Sequence, residues 1–336
     1  MLTVEAFLQI DLPALTAAGL GAVACALIGS LLLLRRQAMI GDALSHVVLP
    51  GIVVAFLITG TLAPAAMLGG ALGAALIAVV MIAAVRRFGG IEPGAAMAVV
   101  FTSLFAFGVV LLEQWVGPRV HLDTQHALFG ALETTFWPEP TTVASLLRAE
   151  IWATVPVQIP VLAVLLALTV TVLLLFYKEI KVAIFDPDFA ASIGIPPTAF
   201  DLGVATLAAL VACACFQALG SILVIAMFVC PAAAARMVTD HFDRQLWWSA
   251  LFALASAWLG YLAAAWLPLA FGFEHALSAA GGIAVVAGLI EALAILLAPR
   301  YGVLRRYWWP GKRGRPQCHQ FEARRNRRDC APDTSP

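Results

Sequence analysis

The chain has 336 residues, 62% of them hydrophobic and 12% charged, with a formal net charge of zero. A soluble domain of this size carries about a quarter of its residues as Asp, Glu, Lys and Arg, so the composition and a mean hydropathy of +0.94 exclude that class. Several apolar runs approach 20 residues, the length that takes a helix across hydrocarbon, which excludes a barrel of short alternating strands.

Taken in order, the runs predict spans at about 14–34, 37–60, 64–85, 93–115, 155–177, 200–216, 219–236, 245–267 and 279–298. The weakest divisions are Ile58–Ala63 and Gln217–Gly220, where only glycine and polar residues interrupt the apolar pattern. Fusing the sixth and seventh spans leaves eight, so the expected fold is all-α, a polytopic transmembrane helix bundle of 8–9 spans. Before the first span stand Glu5 and Asp11 and no basic residue, which is not the pattern of a cleavable signal peptide. Cys25, Cys213, Cys215 and Cys230 lie in apolar runs without disulfide-framework spacing, and Cys213 and Cys215 read as small packing residues.

The basic residues are strongly segregated. Of 20 Lys and Arg, the loops after odd-numbered spans hold Arg35, Arg36, Arg86, Arg87, Lys178, Lys181, Arg236 and Arg244, and the tail from Arg300 holds ten more. Only Arg119 and Arg148 fall on the other side. The positive-inside rule then puts those loops and the C-terminus in the cytoplasm and, with nine spans, the N-terminus outside. Residues 1–306 form the expected membrane domain, and 307–336 a basic, Pro/Gly-containing tail expected to be disordered.

The segment from Arg35 to Gly60 carries the most telling chemistry. On a helix, Asp42 and His46 are four residues apart and share one face. A carboxylate and an imidazole inside an apolar span are costly to leave unpaired, and together they are a ligand set for zinc, manganese or iron. Spacing alone also allows a hydrogen-bonded pair at the span's entrance, or Asp42 as a helix cap.

Elsewhere, Asp186-Pro187 reads as an N-cap followed by proline at the first helical position, and Gly194 closes that short helix before Pro196-Pro197. The long outer loop holds His121, Asp123 and His126, a metal-like group whose simpler reading is an outer gate or docking motif. A surface helix is predicted around Val143–Trp152. Glu291 is an isolated acid deep in the last span, and Cys318, His319 and Cys330 sit in the tail.

These motifs occur in the order found in a known family. The stretch GDALSHVVLPGIVVAFLITG from Gly41 resembles a signature of membrane permeases of the zinc/manganese/iron uptake family of ABC transporters. The resemblance continues through Gly94–Gly108, His121-Leu-Asp123 to Phe129-Gly130, Phe185–Ala190 with Gly194, Gly220–Met227 with Pro231–Arg236, and Pro299–Gly302. The outer-loop motif leans toward the manganese/iron branch.

The resemblance implies metal contact by Asp42 and His46 and an ATPase-coupling segment built on Phe185, Asp186, Pro187, Phe189 and Gly194. It also implies a homodimer or a pair with a closely related permease, an ATP-binding subunit, and an extracytoplasmic metal-binding protein, in the bacterial cytoplasmic membrane. No nucleic-acid partner and no permanently bound cofactor are expected; the metal is cargo. The chain has no G-x-x-x-x-G-K-[ST] loop, so ATP hydrolysis falls to a partner. Manganese import is the first expectation, with a dedicated zinc importer as the alternative within the family. A proton-coupled secondary transporter is the rival from another class.

Overall fold

The computed structural model describes residues 4–38, 40–61, 63–116, 132, 135–140, 142, 145, 149–270, 277–298 and 302. A short helical turn, Val4–Ala6, and a π-helical turn, Phe7–Asp11, run into α1, Leu12–Leu34. There follow α2 (Ile40–Thr59), α3 (Pro64–Gly89), α4 (Pro93–Leu111) and α5 (Gln158–Leu175). Two short helices, α6 (Tyr177–Phe185) and α7 (Pro187–Ser192), precede α8 (Pro197–Leu219), α9 (Ser221–Val238), α10 (Phe242–Ala270) and α11 (Ala279–Leu297). Among the described residues eight helices are long and apolar enough to cross a membrane. At 20 residues α2 is about 30 Å long, enough to span as well.

Both uncertain divisions are real breaks, each made by a glycine. Gly60 (φ +66°) ends α2, and Gly220 (φ +85°) separates α8 from α9 in a conformation that L side chains rarely adopt. Proline sets the first turn of α3, α4, α7 and α8, where its missing N–H costs no helical hydrogen bond.

Helix α1 is the buried axis of the bundle, packed on by α5, α8, α9 and α10. Its small residues allow close approach: Ala18, Ala22, Ala24, Cys25 and Ala26 are fully buried. A Cβ on Gly29 would lie 2.0 Å from the Phe228 carbonyl oxygen, so α1 and α9 touch backbone to side-chain-free backbone. In a bilayer the gain from such contacts is packing rather than removal of apolar surface from water. Cys213 and Cys215 are buried, with their thiols toward the Ala71 and Gly21 carbonyls (3.6 and 3.8 Å), in keeping with a packing role. Large apolar side chains such as Val164, Leu174 and Trp247 point outward, as a lipid-facing surface requires.

Two local departures from expectation stand out. Residues 178–185, expected as the start of a loop after the span at 155–177, lie in the helix α6; its Ile180 and Ala183 are buried on one face. Of the surface helix expected around Val143–Trp152, residues 143, 144 and 146–148 lie outside the described residues, and the described end is a 3₁₀ stretch, Ala149–Thr154. Near it, Trp137 is buried, and its backbone N–H donates to the Gln9 carbonyl (2.9 Å) while its ring N–H donates to Thr154 Oγ1 (3.1 Å). Trp137 is thus tied both to the start of the chain and to the 3₁₀ stretch that precedes α5.

Candidate metal path and coupling segment

The turn between α1 and α2 starts from a left-handed residue that is not glycine. Arg36 (φ +57°) donates its N–H to the Leu33 carbonyl at 3.0 Å, and Gln37 donates to Leu32 at 2.8 Å. These are the two hydrogen bonds of a Schellman ending. The tight reversal brings α2 in at Ile40, so Asp42 lies inside the first turn and is not the helix cap. His46 follows one turn later on the same helical face. The side chains of both lie outside the described part of the structure.

What the structure does describe is how their helix is held. Gly41 faces the ring of Phe228, where a Cβ would meet ring carbon at 2.9 Å. Gly51 meets Gly70 of α3 so closely that a Cβ on either would lie 2.3 Å from the other's carbonyl oxygen. Pro50, inside α2, rests against Gly108 of α4. A proline within a helix removes one hydrogen bond and bends it. Three glycine contacts, on α3, α4 and α9, thus fix the position and bend of the helix that bears Asp42 and His46. The neighbours Ala43, Val47 and Val48 are buried. A cavity of about 500 Å³ lies beside this stretch, lined by Ala43 and Val47 of α2, Arg86 of α3 and Asp201 of α8.

The segment at residues 177–196 is built as a surface-presenting elbow. Asp186 Oδ1 accepts the Phe189 N–H at 3.0 Å, the expected N-cap bond, and Pro187 takes the first helical position. The helix ends at Gly194, where φ is +90°. Ala190 is its buried anchor, while Phe185, Phe189 and Ile193 are each 53% exposed. Three large apolar groups at the basic end of the bundle, rather than in its lipid-facing middle, form a patch suited to a protein partner.

His121, Asp123 and His126 lie outside the described residues, as do the tail residues Cys318, His319 and Cys330. Among the described residues no group of three or more His, Cys, Asp or Glu is placed to hold a metal. Glu291 lies near the Cys230 thiol of α9. That proximity, between residues 61 apart, has no signature in the sequence.

The profile of the ABC 3 transport family matches residues 8–295. The manganese transport system membrane protein MntD of Bacillus subtilis is 38% identical over 284 residues, 84% of this chain and 90% of that protein. The zinc transport system membrane protein TroD of Treponema pallidum is 32% identical over 285 residues, 84% of this chain and 73% of that one. Among solved structures, PsaBC from Streptococcus pneumoniae in complex with Fab shares the fold, with a TM-score of 0.67 at 22% identity over 88% of this chain and 94% of that one. The chain belongs to the ABC 3 transport family, as one of its multi-span helical membrane permeases.

Proposed function

We propose that this chain is the permease subunit of an ABC importer that carries a divalent transition metal, manganese first, into the cytoplasm. The observation that supports it most is one of position: Asp42 and His46 stand a turn apart on a helix that close contacts at Gly41, Gly51 and Pro50 hold against three neighbouring helices. The metal is cargo, touched in passage by carboxylate and imidazole. In a dimer, two Asp42 carboxylates would offset the +2 charge of one cation, whose desolvation is otherwise prohibitive. Manganese is preferred because that is the cargo named for the manganese transport relative, with zinc the alternative on the strength of TroD. A carboxylate–imidazole set does not itself separate manganese, zinc and ferrous iron.

In this reading the basic end of the bundle, which includes Arg35, Arg86, Lys178 and Arg236, faces the cytoplasm of a bacterial inner membrane, with the N-terminus outside. The Phe185, Phe189 and Ile193 patch docks an ATP-binding subunit there. An extracytoplasmic metal-binding protein delivers the ion at the opposite end, where His121, Asp123 and His126 serve as a gate or docking motif. The test is uptake by proteoliposomes holding the permease, its ATPase and its binding protein, offered Mn²⁺, Zn²⁺ and Fe²⁺ in turn. ATP-dependent uptake led by Mn²⁺ supports the proposal. Uptake that survives removal of ATP and collapses with an uncoupler would replace it with a proton-coupled carrier.

A further inference from the structure

One ion-pair group joins four helices at the basic end of the bundle. The Arg35 guanidinium, at the end of α1, pairs with Asp201 Oδ1 on α8. Its other terminal nitrogen donates to the Ala183 carbonyl of α6 at 3.0 Å, and its carbon lies 5.3 Å from the centre of the Phe200 ring. Arg86 of α3 stands 3.8 Å from Asp201 Oδ2. The Arg35, Asp201 and Arg86 side chains are 14%, 18% and 33% exposed, so the group is sheltered and its pairing is less screened than at an open surface.

Its position in the chain gives it leverage in two directions. Ala183 is three residues before Asp186, so the Ala183 carbonyl moves with the elbow of α6 and α7. Arg35 is five residues before Ile40, with the tight Arg36–Gln37 turn between them, so its displacement reaches the start of α2 directly. Asp201 and Arg86 also line the cavity of about 500 Å³ beside Ala43 and Val47.

We propose that Arg35, Asp201 and Arg86 form a latch that closes the basic end of this cavity and carries movement of α6 and α7 to α2. The inference rests on the functional reading above. Pull on the elbow draws the Ala183 carbonyl and Arg35 away from Asp201, freeing the turn into α2 and uncovering a carboxylate at the end of the cavity. These are positioning residues; they need not touch the metal in its binding position.

The test uses the whole complex in proteoliposomes, with Mn²⁺ as the probe. In Asp201→Asn the ratio of ATP turnover stimulated by the Mn²⁺-loaded binding protein to basal turnover falls roughly tenfold, inside the ordinary range of coupling free energies. Preloaded Mn²⁺ leaks without ATP, and Asp201→Glu restores both readouts. A merely structural role would lower assembly and thermal stability while leaving the ratio and the leak at wild-type values in the complexes that form; that result overturns the latch. Should Asp201→Asn fail to assemble, Arg86→Gln removes only the 3.8 Å arm and is read in the same two assays, with unchanged values overturning the proposal. A wild-type complex that shows no stimulation with Mn²⁺, Zn²⁺ or Fe²⁺ overturns the functional reading itself, and does so before any variant is compared.

Discussion

Gly108 of α4 lies flush against Pro50 of α2: a Cβ there would stand 2.8 Å from the proline Cδ and 2.9 Å from its nitrogen. The proline bends the helix that bears Asp42 and His46, and the glycine leaves room for the bend. Gly108→Val should therefore shift α2 rather than unfold the bundle. Overpacking of this kind costs about 1–3 kcal/mol, visible as a lower midpoint of thermal unfolding in detergent. Transport should fall further than that loss of stability explains, and transport that tracks stability alone would count against the bend having a role.

The elbow at Asp186 can be probed without touching the metal path. Phe185 and Phe189 are each about half exposed, so docking against a partner would bury about half of each ring's full worth, about 2 kcal/mol for the pair. Replacing both with Ala should weaken binding of the ATP-binding subunit about thirtyfold. The check is co-purification against a titration of the partner. Unaltered affinity would move the docking surface elsewhere.

Asp186→Ala removes the cap bond to Phe189 and should cost about 1 kcal/mol locally. Hydrogen exchange read across residues 187–192 is the suitable measurement, because the loss is confined to that short helix. Protection there equal to wild type would mean that packing of Ala190, not the cap, holds it.

Gln245 of α10 is fully buried, and neither its side-chain oxygen nor its nitrogen has a partner among the described residues. Leaving buried polar atoms unpaired costs about 1–3 kcal/mol. Gln245→Met keeps the volume and removes the penalty, so the variant should unfold about 1 kcal/mol later. A less stable variant would indicate a polar partner for that amide outside the described residues.

The spans were legible because each is an apolar run bounded by proline, glycine or arginine, and the two ambiguous boundaries carried the glycines that the structure uses as breaks. The short helix 187–192 was legible for the same reason: Asp186-Pro187 and Gly194 are local signals. Helix α6 was missed although Tyr177, Ile180 and Ile184 recur at helical spacing, because its charged face disguised the apolar one. Pairings between distant segments had no local signal at all. Nothing near Arg35 points to Asp201, 166 residues away, and nothing near Gly51 points to Gly70, because close approach of two backbones is a property of the packed bundle. Asp42 and His46 were found by residue type and spacing, while the contacts that position their helix came only with the fold.

Passage of the metal depends most directly on Asp42. Uptake of Mn²⁺ should be measured in proteoliposomes holding the full complex, comparing wild type with Asp42→Asn at equal assembly. Removing one carboxylate charge per subunit should abolish ATP-driven Mn²⁺ uptake while the complex still forms and hydrolyses ATP at its basal rate. Wild-type uptake in that variant would contradict the assignment of Asp42 to the path of the metal.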